Sequence, residues 1–194
     1  LESDKRTIND IGKQFGFDPT SKTTKVDARQ VLQAVINSKF ADKDLKKLAQ
    51  TISGMVPAGT QVTFKMDHHT NSTFDEQNGI IVDPRFSAEG YSIGIVPIEF
   101  SIMNAMMQKV VSEALETDAN FNNAITELRS KLAADTKTPV EKQLLSLALA
   151  SNKGFIAEVM TSPLLQQKLE SIPYTENLTE QTEEAKTLWD SFIN

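Results

Sequence analysis

Six side chains able to ligate a metal fall within one stretch of the sequence: Asp67, His68, His69, Asp75, Glu76 and Asp83. A hard or borderline divalent cation could take one imidazole and two or three carboxylates there, leaving an open position for water. His68, His69 and Asp75 are the first candidates for ligands, and a metal-dependent hydrolase is the activity they would serve. Adjacent residues of a regular strand point to opposite faces, so both histidines reach one ion only where the strand has ended. The simpler reading of the same residues is an exposed polar loop with charges at a hairpin edge, which needs no cofactor.

Other chemistries find fewer residues. The 194 residues include no Cys and 2 His, which excludes disulfides, thiolate nucleophiles, Cys-rich zinc sites and iron–sulfur clusters. No G-x-S-x-G elbow, P-loop or G-x-G-x-x-G fingerprint occurs, so neither a nucleophile elbow nor a phosphate cradle is encoded. Glu99, Glu113 and Glu116 lie on a single helical segment; a glycosidase-type pair would need two carboxylates facing each other across a cleft, and most are expected on solvated helix faces. No catalytic residue is assigned.

The elements that must position the loop are read from periodicity. Ile8, Ile11 and Phe15 recur at helical spacing and Gly16 ends that helix. Asp27 is a good N-cap for a helix with Val31, Leu32, Val35 and Ile36, and Asp42 for one with Leu45, Leu48, Ala49 and Ile52 closed by Gly54. The Thr/Lys-rich stretch before Asp27 is expected to be a connector. Val62, Phe64 and Met66 alternate with polar neighbours as in a half-buried strand. Ser72–Gln77 and Ile80–Asp83 flank Asn78-Gly79, which predicts a hairpin with a tight type I′ turn. Tyr91–Val96 is a further candidate strand. The expected sheet has three or four strands, is largely antiparallel, and keeps at least one polar face.

Pro97 suits a first helical position, and the stripe from Ile98 through Ile102, Met103, Met106, Met107, Val110 and Val111 to Leu115 predicts a long helix buried against the sheet. The methionines are read as core packing. Asp118 then caps a helix with Phe121, Ile125, Leu128 and Leu132, and Thr138 with Glu141 forms a capping box for a helix running through Leu145 to Leu149. Gly154 and Pro163 punctuate the chain before a short helix with Leu164, Leu165 and Leu169. A last amphipathic helix carries Ala185, Leu188, Trp189, Phe192 and Ile193.

Charge limits the partners. Net charge is −6, with 10 Lys+Arg and 7 Asp+Glu in residues 1–50 and 10 and 19 in the rest. Phosphate binding needs a concentrated basic face, so nucleic acid is not the expected partner. No run approaches the roughly 20 apolar residues of a membrane span, and Leu1–Arg6 lacks the apolar region of a signal peptide. A chain opening on Leu1 rather than Met is expected to be a processed fragment, with any targeting signal before it.

The order strand, hairpin with Gly79-Ile80-Ile81-Val82-Asp83-Pro84, long helix from Pro97 resembles the amino-terminal half of zincin metallopeptidases, small bacterial effector and toxin peptidases above all. The resemblance covers about residues 60–115 and rests on element order, Asp83-Pro84 and Asn104-Ala105. Where the family has H-E-x-x-H-A, this chain has Phe100-Ser101-Ile102-Met103-Asn104-Ala105. Both zinc ligands and the base are missing, so the resemblance implies a scaffold without peptidase activity.

The reading that emerges is an α+β protein of one domain, 1–194. A helical hairpin occupies 1–55, a small antiparallel sheet on a long central helix 60–116, and a helical bundle 117–194. Its expected function is non-enzymatic protein interaction, as a soluble, secreted bacterial effector-type protein. The candidate surface is the loop and sheet edge carrying Asp67, His68, His69, Asn71, Phe74 and Glu76, where a partner strand could add.

Overall fold

The computed structural model describes residues 4–66, 73–86 and 97–172. It is α+β, with a small sheet and a long helix that packs on it. The fold gathers into two compact units, Leu1–Val110 and Val111–Asn194, and the boundary falls inside that helix.

In the first unit, α1 (Ile8–Phe15) begins at a reciprocal cap. Thr7 Oγ1 accepts from the Asp10 backbone N–H, and the Asp10 carboxylate accepts from the N–H of Thr7. It ends at Gly16, whose φ of 85° is the left-handed conformation that glycine adopts without a Cβ penalty. Strand β1 (Thr23–Asp27) follows, where the sequence predicts only a connector. Val26 is the one buried residue of this strand, too little to produce an alternating apolar signal. Helices α2 (Ala28–Ile36) and α3 (Lys43–Ser53) start at Asp27 and Asp42, whose carboxylates accept from the first-turn amides, and pack as the expected hairpin.

Strands β2 (Gln61–Lys65), β3 (Thr73–Asp75) and β4 (Gly79–Val82) join β1 in the order β1-β2-β4-β3. Two pairings are antiparallel, and β2 pairs with β4 in parallel, Val62 beside Ile80 and Phe64 beside Val82. The β3–β4 connection is a three-residue loop, because Asp75 faces Gly79 across the ladder. Gly79 supplies the positive φ of 74°, and Asp75 Oδ1 accepts from the Asn78 backbone N–H at 2.6 Å, a side-chain turn bond that replaces the predicted type I′ geometry. Val26, Val62, Phe64, Phe74, Ile80 and Val82 are buried, and the Phe17 ring stacks on Phe64 with centroids 4.6 Å apart. The alternate positions Thr23, Lys25, Thr63, Lys65 and Thr73 make the other face polar around one buried apolar residue, Ile81. The candidate strand at 91–96 lies outside the described residues. A short 3-10 turn, Pro84–Phe86, follows β4.

Helix α4 (Ile98–Thr117) is buried on every side through its first three turns, where even Glu99, Asn104 and Gln108 are enclosed. Met103 and Met106 are fully buried, as the packing reading of the methionines predicts.

The second unit is helical: α5 (Ala119–Asp135), α6 (Pro139–Leu144), α7 (Ser146–Ala150), α8 (Asn152–Thr161) and α9 (Pro163–Glu170). Its core unites Ile125, Leu128, Leu132, Leu145, Phe155, Val159, Leu165 and Leu169. Two readings change here. The helix expected to run from Thr138 through Leu149 breaks at Leu145, which leaves α6 and α7 as separate pieces. Gly154, expected to punctuate, lies within α8, capped by Ser151 Oγ. A Cβ there would sit 2.3 Å from the Leu147 carbonyl oxygen, so glycine is what lets α7 and α8 approach. The last amphipathic helix lies outside the described residues.

Candidate functional site

Four of the predicted interaction residues, Asp67, His68, His69 and Asn71, lie outside the described residues, and with them two of the three candidate metal ligands. The others occupy three different settings. Asp75 is exposed, and its carboxylate closes the hairpin turn on both the backbone N–H and the side-chain amide of Asn78. Glu76 is exposed in the same turn, whereas Phe74 is buried, with the Lys109 ammonium 5.1 Å from its ring centre. Asp83 is turned inward, accepting from the backbone N–H, Nε and Nη2 of Arg85 at 3.0, 3.2 and 2.9 Å. Among the described residues, no three His, Asp or Glu side chains converge as a metal site would require.

The sheet has two edges among the described residues, and they differ in availability. At β3, the Phe74 N–H donates to Gln108 Oε1 at 3.2 Å, and Gln108 Nε2 donates in turn to Asn104 Oδ1 at 2.7 Å. A side chain of α4 therefore occupies that edge. At β1, Ala28 N–H donates to the Thr60 carbonyl at 2.8 Å and Met66 N–H to the Lys22 carbonyl at 2.9 Å. With Thr24 opposite Phe64 and Val26 opposite Val62, the even-numbered residues from 22 to 28 use their backbone groups toward β2. Antiparallel strands alternate the direction of these groups. The N–H and C=O of Thr23 and Lys25 and the N–H of Asp27 consequently point away from the sheet, and no described residue meets them. Thr23 and Lys25 are exposed, and Lys65 stands opposite Thr23.

Sequence reasoning also missed a charged network at the start of α4. Glu99 is fully buried and takes Arg6 in a two-pronged pair, with Nη1 at 2.5 Å from Oε1 and Nη2 at 2.8 Å from Oε2, while Ser38 Oγ donates to Oε1 at 2.8 Å. Arg6 further donates from Nη1 to Gln14 and from Nε and Nη2 to Asp4, so all five of its donors are used, and its guanidinium lies 4.0 Å from the Phe40 ring centre. Burial alone would lower the Arg6 pKa, but the bonds and charges of Glu99 and Asp4 outweigh it and raise the pKa. Burial likewise pushes Asp4 up, and Arg6 holds it below the usual carboxylate range. With its donors and acceptors matched, the network is a fastening between the N-terminal segment and α4 and leaves no group directed at a substrate. The one sequence hint was a glutamate one residue into an apolar helix.

The helix positions at which a zincin would carry ligands and base hold Phe100, Ser101 and Asn104. Phe100 is buried and Asn104 is bonded to Gln108. No described helix is long and apolar enough to cross a membrane. Compared with known protein families, curated proteins and solved structures, the chain matches none.

Proposed function

We propose that this chain is a non-enzymatic protein-interaction domain that takes an extended, acidic partner segment as an added strand along β1. The supporting observation is the outward row of backbone donors and acceptors on Thr23, Lys25 and Asp27. Such a row is a template for strand addition, in which main-chain bonds give affinity and alternate side chains give specificity. Lys25, at the middle of the strand, selects the occupant. A second copy pairing antiparallel about that position would set Lys25 against Lys25, and like charges directly opposite destabilise a ladder. A partner with carboxylates at alternate positions meets Lys25 and Lys65 favourably. Secretion as a bacterial effector on a zincin-like scaffold without zinc is the finer form of this reading, resting on element order, Asp83-Pro84 and Asn104-Ala105.

The test uses amide shifts of the full chain titrated with an alternating Glu-Val hexapeptide. Shifts concentrated at Thr23, Lys25 and Asp27 are expected, and they should vanish in Lys25→Pro. That substitution removes an outward donor and no β1–β2 bond. Lys25→Glu should weaken binding at low salt. Binding that survives Lys25→Pro in a folded protein, or shifts located elsewhere, would reject strand addition at this edge.

A further inference from the structure

A second apolar surface lies wholly within the helical unit. Val140 and Leu144, one turn apart on α6, are 66% and 50% exposed, and Leu164 on α9 is 49% exposed. Leu144 and Leu164 join Leu145, Gln167, Lys168 and Glu141 around an open groove of about 260 Å³. On its rim Lys168 bridges Asp135 at 2.8 Å and Glu141 at 3.4 Å. Exposed large apolar side chains are ordinary when scattered, whereas Leu144 and Leu164 line one groove together and Val140 lies one turn from Leu144, which makes the patch a candidate for cover.

We propose that residues 185–193 of the same chain fold back as an amphipathic helix into the groove between α6 and α9. Ala185, Leu188, Trp189, Phe192 and Ile193 recur at spacings of three and four, which predicts one apolar helical face. Nine helical residues span about 14 Å, close to the roughly 12 Å of the eight-residue α9 along which the groove lies. The described residues of this unit end at Ile172, one turn beyond the groove-lining Lys168. The twelve residues from 173 to 184 can reach about 40 Å when extended, far more than the return requires. A tether of this length holds the segment at an effective concentration near millimolar, which favours it over a second copy or a foreign helix at ordinary protein concentrations.

The chain supplies its own reporter, since Trp189 is its single tryptophan. In the full-length protein, Trp189 emission should lie to the blue of a free indole and resist acrylamide. Leu164→Glu and Leu144→Glu should each move it to the red and raise quenching several-fold with far-UV circular dichroism unchanged. Since the chain has no native cysteine, Gln167→Cys combined with Leu188→Cys provides a readout independent of those variants: oxidation should yield an intramolecular disulfide. Water-like emission in the unaltered protein would overturn the proposal, as would blue emission indifferent to both glutamates in folded protein. A blue shift lost on dilution would assign the groove to a second copy instead.

Discussion

A fully buried carboxylate is tolerated only while its partners remain, and Glu99 depends on Arg6 and Ser38. Arg6→Met should therefore destabilise the protein by about 3–5 kcal/mol, because it strands a desolvated charge. Adding Glu99→Met should recover part of that loss, since no unpaired carboxylate then stays buried at 99, while Asp4 and Gln14 still lose Arg6 and the Ser38 hydroxyl loses one acceptor, at about 1 kcal/mol for each neutral bond. Urea unfolding of the two single variants and the double variant closes the cycle. Equal instability of Arg6→Met and the double variant would show that the arginine acts through its packing on Phe40 instead. The exposed carboxylates make a different prediction, one of pH. Asp10 is held low by the Thr7 backbone N–H and then its hydroxyl, and Asp18 by Thr20. Because their folded pKa values are depressed, their stabilisation is complete above the unfolded value near 3.9 and is lost as pH falls through the folded values. Lys168 has the opposite sign. Its hydrogen bond to Asp135 raises its pKa against the effect of burial, so its contribution fades only as alkaline pH passes the raised value. These three groups leave stability flat from about pH 5 to 9. Urea midpoints of Asp10→Asn should fall below those of the unaltered protein at pH 7 and converge with them below about pH 4.

Glycine gives the element scale its sharpest prediction. Gly→Ala inside a helix ordinarily stabilises by about 1 kcal/mol. At Gly154 the sign should reverse, because the added methyl would meet the Leu147 backbone at 2.3 Å and force α7 from α8. A cost of about 1–3 kcal/mol is expected from overpacking, read as a lower thermal midpoint, and a stabilised Gly154→Ala would show that the two helices separate freely. The same residue shows why some elements were legible and others were not. Caps and breaks written in local sequence were read correctly, as at Asp27, Asp42, Gly16, Asp118 and Thr138, because a side chain bonding two or three residues along its own backbone needs no tertiary context. A glycine that serves close approach of another helix looks locally like one that ends a helix. Strand β1 was missed for a related reason. Edge strands bury little, and its single inward Val26 carries no period. The candidate interaction edge consequently stands in a stretch whose composition is only Thr/Lys-rich, while the residue types with evident chemistry, the histidines and carboxylates, lie further along the chain.

On the scale of the molecule, chemistry-bearing residue types and architecture divide between the two units. Residues 1–110 hold 13 Lys+Arg and 13 Asp+Glu, and residues 111–194 hold 7 and 13, so the whole net charge of −6 belongs to the helical unit. The balanced unit carries the sheet and the open β1 edge, which makes Lys25 and Lys65 a local feature that added salt should screen without altering the fold. Each unit also encloses its own core residues. Ile102 and Leu132 are both fully buried, the first in the part of α4 that belongs to the sheet-bearing unit and the second in the helical core. Truncating either to alanine removes the same number of carbons and leaves a cavity, for which about 2–5 kcal/mol is expected. A cavity is felt first by the residues that line it, and local opening free energies are read amide by amide in native-state hydrogen exchange. Leu132→Ala should therefore reduce protection chiefly in α5, α8 and α9, and Ile102→Ala chiefly in β2, β4 and the first turns of α4. Uniform loss of protection from either variant would mean that the two cores open as a single cooperative body, and the β1 edge would then be stabilised by helices that contribute no residue to it.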